Sequence, residues 1–145
     1  GVEFEGTYKL TNKLSWAANM TLSENKIVTP FIEHIDIWDY PYGRTETISH
    51  ENTDLAFSPK IIWASQINYK LSRNTSVDFI SKYVGEQFID NTSSEDRILD
   101  DYLVNHLRLT YEWNSKIFNI AKLSLQVNNL LNNEYVNNAW VYRFI

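Results

Sequence analysis

The sequence predicts an all-β chain, an antiparallel up-and-down meander of about six strands. Three observations carry that expectation. Apolar and polar residues alternate with a period of two over six separate runs, which is the period of an extended chain with two different faces. Helical spacing fits none of those runs as well. Short polar connections alternate with longer ones from one end of the sequence to the other.

The runs can be taken in order. Val2, Phe4, Gly6, Tyr8 and Leu10 share one face, and Glu3, Glu5, Thr7 and Lys9 the other. After the polar connection Thr11-Asn12-Lys13, Trp16, Ala18, Met20 and Leu22 oppose Ser15, Ala17, Asn19, Thr21 and Ser23. A third run sets Ile61, Trp63, Ile67, Tyr69 and Leu71 against Ala64, Gln66, Asn68 and Lys70. The fourth sets Val77, Phe79 and Tyr83 against Asp78 and Lys82, with Ile80 out of pattern. In the fifth, Leu103, Leu107, Leu109, Tyr111 and Trp113 oppose His106, Arg108, Thr110 and Glu112. The sixth places Leu123, Leu125 and Val127 opposite Ser124, Gln126 and Asn128.

Composition narrows the classes. The 145 residues are 43% apolar and 21% charged, which is globular rather than disordered. The absence of Cys excludes a disulfide scaffold, a thiolate metal site and a thiol nucleophile. A net charge of -5 argues against a nucleic-acid partner, which needs a basic patch. No apolar run is long enough for a transmembrane helix.

The connections at 11–13, 72–75 and 114–119 are short, whereas about 28–58 is long and about 91–102 is intermediate. That order puts the short turns at one end of a sheet and the long loops at the other. Outer-membrane β-barrels are organised in this way, with spanning strands of about 9–11 residues. A soluble sandwich gives the same alternation along each strand, its apolar face turned to a core instead of lipid. Aromatic placement favours the membrane. Trp16 and Trp113 stand on apolar faces beside short turns, with Tyr8 and Tyr69 near the same end, like a girdle at a membrane interface.

Particular segments resemble a known family. GVEFEGTYKLTNKLSW, NTDLAFSPKIIWASQINYKL, SKYVGEQFIDNTS and LDDYLVNHLRLTYEW are similar, in that order, to late strands of TonB-dependent outer-membrane receptors of the Bacteroidetes type. LQVNNLLNNEYVNNAWVYR resembles the near-terminal segment of that family, with a core of Asn129, Leu130, Leu131, Asn132 and Tyr135. The resemblance implies a barrel of 22 strands around an N-terminal plug. Residues 1–145 would then be a fragment of that barrel, lacking the plug, the earlier strands and the final strand. It implies a place in the bacterial outer membrane, lipid around the wall, and TonB as partner through an N-terminal segment outside this chain. It also implies active uptake of a scarce small-molecule or glycan nutrient: a ferric siderophore, haem, cobalamin or a glycan. No cofactor is expected. A soluble β-sandwich ligand-binding module and a passive porin-like barrel are the alternatives.

No catalytic constellation is visible, and an enzyme is not expected. His34, His50 and His106 lie in no nucleophile-elbow or metal-helix motif. His34 and His50 share the long loop with Glu33, Asp36, Asp39, Glu46, Glu51 and Asp54, a group expected to be a solvated acidic loop rather than a metal site. Within it Phe31, Trp38, Tyr40 and Tyr42 stand beside Arg44, either as a ligand-binding surface or as a small core of the loop itself. Of these, Trp38, Tyr40, Tyr42 and Arg44 are the candidate ligand-binding residues. On the polar faces Glu3, Glu5, Lys9, Lys70, Asp78, Lys82, Arg108 and Glu112 would point into a lumen and toward a plug.

Overall fold

A computed structural model describes residues 1–38 and 41–141. In chain order the strands are β1 (Val2–Lys9), β2 (Leu14–Leu22), β3 (Lys26–Ile27), β4 (Phe31–Ile37), β5 (Arg44–His50), β6 (Thr53–Asp54), β7 (Ile61–Lys70), β8 (Thr75–Val84), β9 (Gln87–Phe88), β10 (Ile98–Leu99), β11 (Tyr102–Ser115) and β12 (Asn119–Val127). A 3-10 turn spans Glu95–Arg97.

Six of these strands form one antiparallel sheet in the order β1-β2-β7-β8-β11-β12, which is chain order. The six alternating runs of the sequence are these strands. Their register keeps the faces aligned from one strand to the next. Tyr8 lies opposite Trp16, Trp16 opposite Ile67, Ile67 opposite Phe79, Phe79 opposite Leu107, and Leu107 opposite Val127. A slip of one residue at any pairing would turn one strand's apolar set to the polar face. Ile80, out of pattern in the sequence, falls on the polar face between Gln66 and His106.

Local chemistry explains the short turns. Between β1 and β2, Thr11 Oγ1 accepts hydrogen bonds from the backbone N–H of Lys13 at 3.1 Å and of Leu14 at 3.0 Å. Between β7 and β8, Ser72 Oγ accepts from the Asn74 N–H at 3.1 Å. After β11, Ser115 Oγ takes the Ile117 and Phe118 N–H groups, and Asn119 turns the chain at φ 60. Hydroxyls that bond the backbone two or three residues on, and Asn at positive φ, are the side chains that such turns favour.

The asparagines of the C-terminal motif have the same explanation. Asn129 and Asn132 adopt φ 49 and 52, in the left-handed region that Asn tolerates better than most residues. The Asn129 side chain bonds the Asn133 backbone twice, Nδ2 donating to its carbonyl and Oδ1 accepting its N–H; Asn133 Nδ2 donates to the Leu103 carbonyl at 2.7 Å, and Tyr135 stacks on Tyr102 at 4.4 Å. The motif is a turn that folds back against the start of β11.

The chain divides into two compact units. The first contains the sheet, formed by Gly1–Leu22, Ile61–Gly85 and Asp101–Tyr135. The second contains Ser23–Lys60, Glu86–Asp100 and the chain from Val136. Within the sheet, Leu22 lies opposite Ile61, and Val84 opposite Tyr102, so both long connections leave from the same end.

The second unit corrects the expectation of a plain loop at 28–58. β4 and β5 pair over seven positions, and β3 pairs with β6. The segment 86–100 contributes the β9–β10 pair. The two connections are tied to each other. The Asp54 N–H donates to Ser93 Oγ at 2.7 Å, the Ala56 N–H to Asn91 Oδ1 at 2.8 Å, and the Phe57 N–H to the Phe88 carbonyl at 2.9 Å. A loop of about 30 residues would otherwise leave its backbone groups to water.

Candidate functional site

The two faces of the sheet are chemically opposite, and the unusual one is the apolar face. Phe4, Tyr8, Trp16, Ile67, Tyr69, Leu109, Tyr111, Leu123 and Leu125 are all exposed, with Leu125 at 68%. Among the described residues, the buried apolar set is only Val84, Leu99 and Val104. Among the described residues of the first unit, no second layer packs on this face.

Aromatic residues border it at two levels. Near the short turns stand Tyr8 opposite Trp16, Tyr69, and Tyr111 stacked on Trp113 at 5.7 Å. Toward the long connections Trp63 lies opposite Tyr83 and stacks on it at 6.0 Å, with Phe4 opposite Met20 in the same row. Sequence reading found the first row beside its turns and missed the second. Trp63 and Tyr83 lie 20 residues apart, and only the β7–β8 register brings them side by side.

The opposite face carries the charges. The register places Glu3, Glu5, Lys9, Lys70, Asp78, Lys82, Arg108 and Glu112 on it together. At its centre Asp78, 5% exposed, accepts from Asn68 Nδ2 at 2.7 Å, Gln66 Nε2 at 2.9 Å and Arg108 Nε at 3.0 Å. Three donors from two flanking strands hold one carboxylate, the arrangement that a buried charge requires. Glu112 pairs with Lys122 Nζ at 2.6 Å. Glu3, Glu5, Lys9, Lys70 and Lys82 are exposed and make no ion pair among the described residues. Gln66 and Asn68 were legible as polar-face residues, but their convergence on Asp78 was not.

In the second unit the acidic residues do not form a merely solvated loop. Glu33 is buried; its Oε2 lies 2.9 Å from His50 Nε2 and its Oε1 accepts from Arg97 Nη1 at 3.3 Å. Arg97 Nη1 also donates to Asp90 Oδ2 at 2.6 Å, while the Thr92 hydroxyl and N–H both donate to Asp90 Oδ1. Burial raises the Asp90 pKa, but the Thr92 and Arg97 donors outweigh it and bring it down to about 2. Its hydrogen bond to Asp90 keeps Arg97 protonated still more firmly than usual. Among the described residues no three His, Asp or Glu are grouped to hold a metal ion.

The aromatic loop residues part company. Phe31 sits at the base of the β4–β5 hairpin, stacked on His50 at 5.0 Å. Trp38 and Tyr42 stand near its tip, 91% and 83% exposed. Arg44, at the start of β5, pairs with Glu46 at 3.2 Å. Tyr40 and Asp39 lie outside the described residues. Of the expected cluster, Phe31 is packed against His50, whereas Trp38 and Tyr42 are exposed. Compared with known proteins, the chain matches no family model and no curated relative.

Proposed function

We propose that this chain forms six adjacent strands of a TonB-dependent transporter barrel in the bacterial outer membrane. The observation that carries the reading is the inverted distribution of the sheet. Its apolar face is uncovered and bordered by two aromatic rows, and its polar face holds a hydrogen-bonded carboxylate. Water penalises that arrangement, since each fully exposed large apolar side chain forfeits about 1.5–3 kcal/mol of burial. Lipid rewards it: a spanning barrel turns an apolar band outward between aromatic girdles and encloses a polar interior.

The choice of transporter over passive porin rests on the resemblance of the segments around Asn129–Tyr135 and the earlier strands. In that role the wall contributes lipid contact, the polar face borders a plug, and the long connections meet the ligand. Energy relayed through TonB then displaces the plug; no covalent chemistry is involved.

Uptake by cells expressing the full-length protein tests the proposal. Transport that stops when TonB is deleted supports it. Uptake indifferent to TonB selects the passive barrel. A full-length product that stays in the aqueous fraction, without detergent, selects the soluble sandwich.

A further inference from the structure

The cations of the chain are unevenly neutralised. Among the described residues Lys26, Arg44, Lys60, Arg97, Arg108 and Lys122 each pair with a carboxylate. Lys9, Lys13, Lys70, Arg73, Lys116 and Lys82 are exposed and pair with none among the described residues. The first five of these stand at one end of the sheet, in or beside its three short turns, and Lys82 stands toward the other end. Five like charges at one end of a chain of net charge -5 repel one another until an anion joins them.

Three of the five line a cleft of about 830 Å³ at the short-turn end of the polar face. Lys13 and Lys70 are adjacent in it, the Lys70 N–H donating to the Lys13 carbonyl at 2.8 Å, and Arg73 comes from the turn that follows β7. The strands that contribute to the lining, β7, β8 and β11, each have a neighbour on both sides, so the cleft does not open at an edge of the sheet.

The carboxylates nearest to it are engaged elsewhere. Glu112, the one acid in the lining, pairs with Lys122 at 2.6 Å. Asp78, farther along the same face, is held by Arg108, Asn68 and Gln66. Neither is left to neutralise Lys13, Lys70 and Arg73.

The chemistry of the lining selects the occupant. Apart from Glu112, every lining side chain is a cation, an amide or a hydroxyl. An acyl chain finds no apolar contact there, and a nucleobase finds no ring to stack on. The cations also do not converge on one point. Successive short turns are two strands apart, so the row from Lys13 past Arg73 to Lys116 runs about 19 Å at the usual strand spacing. A single small oxyanion does not reach along that row, whereas an extended peptide of about six residues does. The Asn12 amide and the Ser76 hydroxyl, both in the lining, make no side-chain hydrogen bond among the described residues and are open to its backbone.

We propose that this cleft binds an acidic peptide segment of a partner protein, its carboxylates seated against Lys13, Lys70 and Arg73. The segment arrives from the side of the short turns. The assignment stands whatever the apolar face of the sheet meets.

The test titrates the full-length protein with a fluorescein-labelled octapeptide of alternating Glu and Ser, and with its Gln-for-Glu counterpart, reading anisotropy at low and at physiological salt. The expected result is binding of the Glu peptide alone, weakened severalfold by salt. Lys13→Gln, Lys70→Gln and Arg73→Gln combined should weaken it about tenfold, the sum of three exposed ion pairs. Lys82→Gln, on the same face at the other end, should leave it unchanged. Glu112→Gln, which frees Lys122, should tighten it, a change that damage to the fold does not produce. Absence of binding, equal binding of the two peptides, or a triple variant that binds like the wild type overturns the proposal. So does a loss in Lys82→Gln equal to that of the triple variant. Phosphatidylglycerol retained by the wild type and lost by the triple variant in native mass spectrometry, with no peptide bound, assigns the cations to lipid headgroups and overturns the peptide. If the triple variant fails to fold, Arg73→Gln and Glu112→Gln decide by shifts of opposite sign.

Discussion

Arg108 Nε donates to Asp78 Oδ2 at 3.0 Å from the residue directly opposite it, across the β8–β11 pairing. The pair lies on the polar face of a sheet whose other face is uncovered, and it is the best-satisfied charge in the first unit. Removing Asp78 would strand the Arg108 guanidinium together with the Asn68 and Gln66 amides. Asp78→Leu in the full-length protein is expected to lose about 2–4 kcal/mol of folding free energy. Arg108→Leu should lose less, because the amides still hold the carboxylate. A double-mutant cycle by urea titration in lipid should show coupling above about 0.5 kcal/mol; additivity would mean that the pair is geometric only.

The two faces can be separated by one strand of β12. Leu125→Arg, on the face proposed to meet lipid, is expected to cost about 2–4 kcal/mol if that position lies near a membrane midplane. Gln126→Arg, its neighbour on the polar face, should cost much less, since the Arg108 charge across from it is already balanced by Asp78. Equal damage at both positions would indicate two buried faces and a soluble fold.

Topology is open to labelling on whole cells. Single cysteines at Asn12, Arg73 and Lys116, in the three short turns, should be shielded from impermeant thiol reagents. Cysteines at Gly43 and Glu95, in the long connections, should react. The reverse pattern would invert the orientation.

Acid should loosen the loop network in a defined window. The folded Asp90 titrates near 2, below its ordinary 3.8, so its stabilisation is complete above about 4 and is lost as pH falls through about 2. A shift of that size corresponds to about 2 kcal/mol. Amide exchange around residues 86–100 should therefore accelerate as pH falls through this window, after correction for intrinsic rates. Asp90→Asn should be loose already at pH 7 and lack the acid step. An unchanged acid step in that variant would assign it elsewhere.

On the transporter reading proposed above, the ligand should not be strongly anionic. Between residues 28 and 58 six acids stand against one base; Arg97 and Lys60 offset Glu33 and Asp54 from outside that segment, and Arg44 is engaged by Glu46. A segment of that sign repels anions over about 8 Å at physiological salt. Trp38→Ala should weaken binding of a neutral or cationic ligand by about tenfold or more, in the range of an exposed aromatic anchor. Tight binding of an anionic ferric complex, lost when Arg44 alone is removed, would refute this expectation.

What the sequence determined by itself was the strand content and the two faces. Alternation is a local property of extended chain, so Val2–Lys9 and Leu14–Leu22 were legible nearly to the residue, and the hydroxyl and Asn turns between strands likewise. The β4–β5 hairpin was hidden in a segment read as loop, although Ile32, His34 and Asp36 do alternate with Phe31, Glu33, Ile35 and Ile37. Both strand faces there mix apolar and charged residues, so the period carries no contrast. Tertiary structure alone decided which distant residues meet. Arg97 reaches Glu33 across 64 positions, Trp63 finds Tyr83, and three donors converge on Asp78. Each of these depends on register and on how the long connections pack. Those are set by the summed pairing of whole strands and leave no mark in the neighbourhood of any one residue.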